Sequence, residues 1–180
     1  MTTGPDPEAG GAARDGGVLR VPSPRRAPFE VPVRLLNPAA RLPRRAYEHD
    51  AAFDLHAAED VVISPLGRAL VGTGIALGLP PGLAALTLPR SGLATRHGIS
   101  LVNAPGLIDP GYRGEVRLVL LNTDAREPFT VSTGDRVAQL LFVELPAVAL
   151  AGAETLDDTA RGAQGFGSSG SAGDGGEGAP

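Results

Sequence analysis

Five short stretches of the chain carry polar or glycine residues that the formation of strands and turns alone does not explain. In chain order they are AAFDLHA (51–57), PRSGLA (89–94), NAPGLIDPGYRGE (103–115), GDRVAQLLF (134–142) and RGAQGFGSSG (161–170). Each stretch has an ordinary structural interpretation beside a chemical one. Together they supply the carboxylate, phenol, amide and guanidinium groups that bind anions, activate water and recognise a planar ring.

The stretch around Asp109 offers groups that suit a planar heterocycle and a reactive water molecule. Asn103 presents a donor and an acceptor for the edge of such a ring, and Tyr112 adds a flat wall. The tetrapeptide DPGY predicts a β-turn in which Pro110 fixes φ and Gly111 accepts a positive φ. Apolar runs on both sides predict a hairpin. Pro110 also biases Asp109 towards extended geometry, so its carboxylate is expected at a rigid strand end, where it can deprotonate water. The alternative is that the segment is only a turn.

Two stretches offer groups for binding an anion such as phosphate. In PRSGLA, Arg90, the Ser91 hydroxyl and the amides near Gly92 would form an anion pocket at a helix N-terminus. The alternative there is a turn and helix start that Ser91 caps. Gln139 lies within a strongly apolar strand, where it could donate to a phosphate oxygen or bond a neighbouring backbone group.

The glycine-rich stretch at 161–170 has the composition of a flexible tail. Its glycines would let backbone N–H groups approach phosphates closely. Phe166 could then stack on a base, and Arg161 could hold a terminal phosphate. The composition alone favours the simpler interpretation, a flexible tail.

Asp54 interrupts the apolar run of the first stretch. One carboxylate suits Mg²⁺, which keeps several waters and takes other ligands from substrate phosphates; a turn or edge residue is the alternative. The chain has no cysteine, its three histidines lack metal-ligand spacing, and it has no G-x-S-x-G nucleophile motif. GTGIALG (72–78) has a misplaced third glycine for a dinucleotide fingerprint and is better interpreted as a strand or bend.

Composition sets broad limits on the class of protein. A chain of 180 residues, 42% hydrophobic and 4% aromatic, is long enough for one domain whose core is built from Val, Leu, Ile and Ala. No stretch of the sequence is long and apolar enough to span a bilayer, and no signal peptide opens it, so we expect a cytoplasmic protein without a membrane partner. The net charge of −4 argues against stable nucleic-acid binding.

Many short apolar runs between Pro and Gly predict an all-β fold with one short helix after Arg90. Such runs include DVVISP, ALVGTGIALGLP, LAALTLP, EVRLVLLN and DRVAQLLFVEL. We predict a disordered N-terminal extension at 1–27, a β domain at 28–150, a C-terminal arm at 151–170 and a disordered tail at 171–180.

In this order and spacing, the five stretches closely resemble the motifs of the homotrimeric dUTP diphosphatase (dUTPase) family, across about 31–170. The resemblance implies a distorted jelly-roll or β-clip-like barrel, in a homotrimer with a swapped C-terminal arm and active sites between subunits. It implies hydrolysis of dUTP to dUMP and pyrophosphate with Mg²⁺ on the triphosphate. That reaction keeps uracil out of DNA and supplies dUMP for dTMP synthesis.

The resemblance also assigns roles to individual residues. Asp109 would orient and deprotonate the attacking water, and Asp54 would meet the metal through water. Tyr112 would lie under the deoxyribose, while Asn103 and the backbone of Gly106, Leu107 and Ile108 would hold uracil. The phosphates would be bound by Arg90, Ser91, Gly92 and Gln139, and the arm that closes over a site on other subunits would contribute Arg161, Phe166, Gly167, Ser168 and Ser169.

Two departures from the family pattern are visible, Ala52 where Gly is usual and Ser169 where Thr is common. Neither removes a functional group. The enzymatic alternative is a dCTP deaminase, which shares the fold and a similar segment around Asp109; Asn103 and the glycine-rich stretch favour the diphosphatase. The alternative from another class is a β-trimer that binds nucleotide or a protein partner without catalysis.

Overall fold

The computed structural model describes residues 29–160 and 162–163, and these are almost entirely β-structure. The predicted all-β class with one short helix is confirmed. The strands are β1 (Val33–Leu35), β2 (Phe53–His56), β3 (Val61–Ile63), β4 (Arg68–Leu77), β5 (Leu83–Leu88), β6 (Ile99–Leu101), β7 (Gly106–Ile108), β8 (Glu115–Asn122), β9 (Phe129–Val131) and β10 (Arg136–Glu144). The helix α1 (Ser91–His97) lies between β5 and β6.

The strands form two four-stranded antiparallel sheets and a two-stranded one. The orders are β1-β4-β8-β6, β2-β10-β5-β7 and β3-β9. Along β8 the apolar residues Val116, Leu118 and Leu120 are buried and alternate with more exposed neighbours, as expected of a strand with one face on a core. The buried core is aliphatic, as the low aromatic content predicts.

The predicted turn at 109–112 is confirmed, but two expectations about it are wrong. The Tyr112 N–H donates to the Asp109 carbonyl at 3.1 Å. Gly111 is absent from the residues with positive φ in the described part of the chain, and a negative φ at this position is compatible with a type I turn. The turn does not close a hairpin either: β7 pairs with β5, whereas β8 pairs with β4 and β6. It therefore connects the two sheets.

The helix begins at Ser91, as the sequence predicts, but Ser91 does not cap it. Arg90 occupies the N-cap position with extended backbone (φ −91°, ψ 124°), and no side chain provides a cap hydrogen bond. Gly98 ends the helix in the left-handed region (φ 63°), where its N–H bonds to the Ala94 carbonyl at 3.0 Å. Arg90 is therefore placed by the strand-to-helix junction.

The segment GTGIALG lies in β4 except for Gly78, which directly follows the strand, and this confirms its interpretation as a strand or bend. The pairing of β4 with β8 is interrupted between Gly72 and Ala76, and Gly74 has a φ of 66°. The Glu115 Oε1 accepts the Gly74 N–H at 2.8 Å. Glu115, which follows the 109–112 turn, is thereby fixed to the neighbouring strand.

The chain divides into two compact units, with the boundary after Leu145. The described part of the second unit contains no helix or strand, and a turn places the Gly162 N–H 3.0 Å from the Thr159 carbonyl. The predicted domain boundaries stay predictions, and those at 1–27 and 171–180 fall outside the described residues. Within the described part, no helix has the length and hydrophobicity needed to cross a membrane. The cytoplasmic location stays a prediction.

Candidate active site

Six predicted site residues line one cavity of about 220 Å³ in the first unit. They are Asn103, Gly106, Leu107, Ile108, Asp109 and Tyr112. Thr87 and Arg117 also line this cavity, but they were not predicted as site residues. Arg117 is recognisable only as a charge within the apolar run EVRLVLLN, whereas the hydroxyl of Thr87 within LAALTL gives no signal of its own. The cavity brings an amide, a carboxylate and a phenol together.

One side of the cavity is formed by β7, an edge strand of its sheet. Only its side towards β5 is paired among the described strands, so its other backbone edge retains donors and acceptors. Gly106 is buried against β5, and a methyl group on it would overlap the Thr87 Oγ1 and lie 3.1 Å from the Asn103 Nδ2. Thr87 Oγ1 also donates to the Gly106 carbonyl at 3.4 Å. Glycine at 106 therefore lets the two strands and Asn103 approach closely.

Asp109 directly follows β7, and its side chain is exposed. The turn that carries it is held by Arg113, whose NH1 donates to the Pro110 carbonyl at 2.6 Å and to the Tyr112 carbonyl at 2.8 Å. Tyr112 is 47% exposed, and its hydroxyl donates to the Glu115 carbonyl at 2.9 Å. The carboxylate and the phenol are thus presented on a turn with a fixed shape.

A second polar cluster surrounds Asp54, which is buried. Its Oδ1 lies 3.2 Å from the Arg90 Nε, and its Oδ2 lies 3.1 Å from the Arg136 NH1. The Arg90 NH1 also donates to the Arg136 carbonyl at 2.9 Å. Both carboxylate oxygens therefore bind a guanidinium group. Two cations beside one anion leave this cluster able to attract a further anion.

Arg136 is a further functional candidate that was not predicted from the sequence. It is the first residue of β10, three positions before Gln139. Arg136 and Arg90 together line a cavity of about 260 Å³. The signal was a charged residue at the start of an otherwise apolar strand within the fourth stretch. Gln139 itself is half-buried and is paired with Asp54 on β2 and Leu88 on β5. Gln139 therefore lies on β10, directly beside Asp54 on β2.

His56 lies next to this cluster on β2 and pairs in register with Arg136. Its Nδ1 is buried and has no hydrogen-bond partner among the residues that the structure describes. Burial lowers the pKa of His56 below its ordinary value of 6.5, and the nearby Arg41 lowers it further. A neutral imidazole is therefore favoured beside the arginines.

The strand β5 connects the two parts of the site. Thr87 pairs with Gly106 on one side, and the next residue, Leu88, pairs with Gln139 on the other. Neighbouring strands lie about 4.8 Å apart, so β7 and β10 are separated by about 10 Å. That span suits a ligand with a planar ring at one end and a charged group at the other.

The remaining predicted residues are distributed differently. Ser91 and Gly92 lie in the first turn of α1, directly after Arg90. Arg161, Phe166, Gly167, Ser168 and Ser169 lie outside the described residues.

The fold and the site define an antiparallel β-protein in which one strand, β5, connects a polar cavity with the pair Arg90 and Arg136. The dUTPase family model matches residues 39–170. A deoxyuridine 5'-triphosphate nucleotidohydrolase of Thermobifida fusca is 51% identical over 147 residues, which cover 82% of each chain. Another, of Corynebacterium glutamicum, is 53% identical over 128 residues, or 71% of this chain and 86% of the relative. The chain belongs to the dUTPase family.

Solved structures agree with this family. The Staphylococcus bacteriophage 80alpha dUTPase with dUpNHpp has a TM-score of 0.73 and 28% identity, covering 78% of this chain and 98% of the phage chain. A mutant dUTPase of phage phi11 of S. aureus, described with a structural Mg(II) ion, has a TM-score of 0.67 and 26% identity over 71% of this chain and 98% of that one. The likeness confirms the predicted jelly-roll-like fold.

Proposed function

We propose that this chain hydrolyses dUTP to dUMP and pyrophosphate. One observation carries the assignment within the family: Asn103, Asp109 and Tyr112 line a single cavity, and β5 joins it to the strand of Gln139. The relatives in Thermobifida fusca and Corynebacterium glutamicum are named for this activity. The phage neighbour with dUpNHpp supports a deoxyuridine nucleotide as the ligand.

Uracil binds at the free edge of β7 and at Asn103. An edge strand presents N–H and C=O groups alternately in one plane, and this pattern fits the alternating acceptors and donor of the uracil edge. Cytosine replaces a carbonyl by an amino group, so buried donors and acceptors would be mismatched. The close packing of Gly106 against Thr87 supports a rigid binding edge.

Tyr112 lies beneath the deoxyribose and excludes ribose by steric overlap with a 2′-hydroxyl. Its hydroxyl is already bonded to the Glu115 carbonyl, and Glu115 is fixed to β4. The ring is therefore restrained before substrate arrives. A restrained group discriminates better than a mobile one, since it cannot move aside.

Asp109 acts as the general base. It takes a proton from a water molecule whose oxygen attacks the α-phosphate, and the bond between that phosphorus and the bridging oxygen breaks to release pyrophosphate. The exposed position of Asp109 at the end of β7 leaves it accessible to water. No covalent nucleophile takes part in this sequence of steps.

The phosphates are bound by Arg90, Ser91, Gly92 and Gln139. Charge on the phosphate oxygens is stabilised by guanidinium and backbone donors that are positioned in advance. Asp54 and the Arg136 carbonyl hold Arg90 in place, which supports this role. Arg136 adds a second cation to the same cluster.

The substrate triphosphate would hold Mg²⁺, and Asp54 would meet the ion through water. No group of three or more His, Asp or Glu side chains in residues 29–160 and 162–163 could hold a metal. A donor-poor site fits Mg²⁺, which is usually held by substrate phosphates, waters and one or two carboxylates. Both Asp54 oxygens are already paired with guanidinium groups, which fits contact through water better than direct ligation. When bound, the ion neutralises charge on the phosphates.

The active form is a homotrimer in which the 151–170 arm of one subunit closes over the site of others. Arg161, Phe166, Gly167, Ser168 and Ser169 belong to that arm, with Phe166 over the base and Arg161 towards the phosphates. Apolar surface on the chain supports association. The first unit has an apolar cavity of about 600 Å³ lined by Phe29, Phe53 and Phe142 among others, and in the second unit Leu150 is 97% exposed.

The decisive experiment measures pyrophosphate release from dUTP beside dTTP, dCTP and UTP, with Mg²⁺ and with a chelator. Rapid release from dUTP alone, lost with the chelator, supports the assignment. Absence of pyrophosphate from dUTP would overturn it. Ammonia from dCTP would instead identify a deaminase, and nucleotide binding without turnover would identify a non-catalytic trimer.

A further inference from the structure

The phenol of Tyr112 lies directly against the backbone of Gly114. A methyl group on Gly114 would lie 2.6 Å from the Tyr112 Cζ and 3.0 Å from its Cε2, and would overlap the phenol oxygen. Real side chains do not approach so closely. The bare Cα of Gly114 is therefore what allows the ring to occupy its observed position.

The backbone of Gly114 does not itself require glycine. Its φ lies outside the left-handed region in which glycine is favoured. The same holds for Gly111, three positions earlier, where an added methyl group would meet nothing within 4 Å. The short segment thus contains one glycine at which an added methyl group meets nothing and one at which the nearest atoms it would meet all belong to Tyr112.

Glu115, the hydrogen-bond partner of the Tyr112 hydroxyl, is also held in place. Its hydroxyl donates to the Glu115 carbonyl at 2.9 Å, and the Glu115 carboxylate accepts the Gly74 N–H at 2.8 Å. A methyl group on Gly114 would displace the oxygen end of the ring first, since that end lies closest. The hydrogen bond to Glu115 would be lost, and a ring that is 47% exposed has room to swing towards solvent.

We propose that Gly114 determines specificity for deoxyribose over ribose by positioning Tyr112. This inference rests on the proposed dUTP hydrolysis, in which Tyr112 excludes a 2′-hydroxyl. A steric barrier excludes only when it is held in place. Gly114 lets the ring lie low against the backbone and keep its bond to Glu115, and this fixed ring leaves no space for the additional hydroxyl.

The test compares kcat/KM for dUTP and UTP in the wild type, Gly114→Ala and Gly111→Ala. Because overpacking displaces the ring, Gly114→Ala should lower the dUTP-to-UTP ratio of kcat/KM by roughly tenfold or more. Gly111→Ala, the matched control, should keep the ratio within about twofold of the wild type. A ratio that Gly114→Ala leaves unchanged, or that Gly111→Ala lowers equally, would overturn the inference.

A double-mutant cycle separates positioning from a general loss of structure. In a Tyr112→Ala background the ring is gone, so adding Gly114→Ala should change the ratio by less than about twofold. A further tenfold change in that background would show that Gly114 acts independently of Tyr112. If Gly114→Ala alone folds poorly, the double variant can still be compared with Tyr112→Ala. Should the wild type release no pyrophosphate from dUTP, the proposed function fails; should it prefer dUTP while Gly114→Ala keeps that preference, only the role of Gly114 fails.

Discussion

The Oδ1 of Asp54 lies 3.2 Å from the Nε of Arg90, so a buried carboxylate orients the guanidinium group proposed to bind phosphate. Asp54→Asn keeps the shape but removes the charge. Because a hydrogen bond to a charged group contributes about 1.5–3 kcal/mol, we expect KM for dUTP to rise on the order of tenfold or more. Steady-state kinetics would measure this rise.

The same variant distinguishes two roles for Asp54. If the carboxylate acts mainly on Mg²⁺, a large excess of Mg²⁺ should restore KM; if it acts mainly on Arg90, it should not. Glu48→Gln, an exposed charge in the preceding loop, is the control and should behave like the wild type. An unchanged KM in Asp54→Asn would refute both roles.

Asp109→Asn should lose turnover while retaining substrate binding. Asparagine keeps the shape of the side chain but cannot take a proton from water, and general-base catalysis contributes roughly 10²–10⁴-fold. Single-turnover hydrolysis of dUTP and calorimetric binding of dUpNHpp would measure the two properties separately. A rate close to that of the wild type would remove Asp109 from the role of base.

Removal of residues 161–180 should reduce hydrolysis severely and leave the fold intact. Within the described residues all strands and the helix end by Glu144, so the truncation deletes none of these elements. Thermal unfolding and sedimentation would report the retained fold and assembly, and pyrophosphate release would report the lost activity. Full activity in the truncated chain would make the arm a simple extension.

Phe166→Ala should be milder than the truncation, because it removes only the proposed stacking on the base. Stacking contributes about 1–3 kcal/mol per base, which corresponds to about 5- to 150-fold in KM. Phe166→Tyr retains a flat ring and should stay close to the wild type. Equal losses in the two variants would contradict a stacking role.

Asp60 should contribute to stability in a pH-dependent manner. Its Oδ1 accepts hydrogen bonds from the Thr133 N–H at 2.6 Å and the Thr133 hydroxyl at 2.8 Å. These bonds lower the pKa of Asp60 below its ordinary value of 3.8. A carboxyl with a lowered pKa in the folded state stabilises it above the unfolded pKa and loses that effect as the pH falls through the folded pKa.

Asp60→Asn should therefore lower Tm at pH 7, and the difference from the wild type should shrink as the pH falls below 3.8. Thermal unfolding of both proteins between pH 7 and the acid limit of folding would show this convergence. A difference that stays constant with pH would attribute the effect to the shape of the side chain.

Local elements of the fold were predictable, but the pairing of strands was not. The helix after Arg90 and the strand character of GTGIALG follow from turn residues and apolar patterning within each segment. Alternation in EVRLVLLN identifies the buried face of β8, but carries no information about which strand lies beside it. The expected hairpin was wrong for this reason, since β7 and β8 belong to different sheets.

The candidate site shows the same limit. Asn103, Asp109 and Tyr112 are close in the sequence, so the predicted association of these three in one cavity followed from local structure. Arg136 was missed because its partner Asp54 is 82 positions away. The alternative interpretation of PRSGLA had Ser91 as the cap of α1, because its residue type is favoured there, but the junction places Arg90 at that position.

The strand β5 pairs with β7 on one side and with β10 on the other, and this limits where residues can be inserted into the chain or deleted from it. A single inserted residue in β5 would reverse the faces of every residue beyond it. The same insertion would then break the pairing of Thr87 with Gly106 and the pairing of Leu88 with Gln139. Insertions and deletions in descendants of this sequence should therefore be absent from β5, where one change in length would disable base recognition and phosphate recognition together.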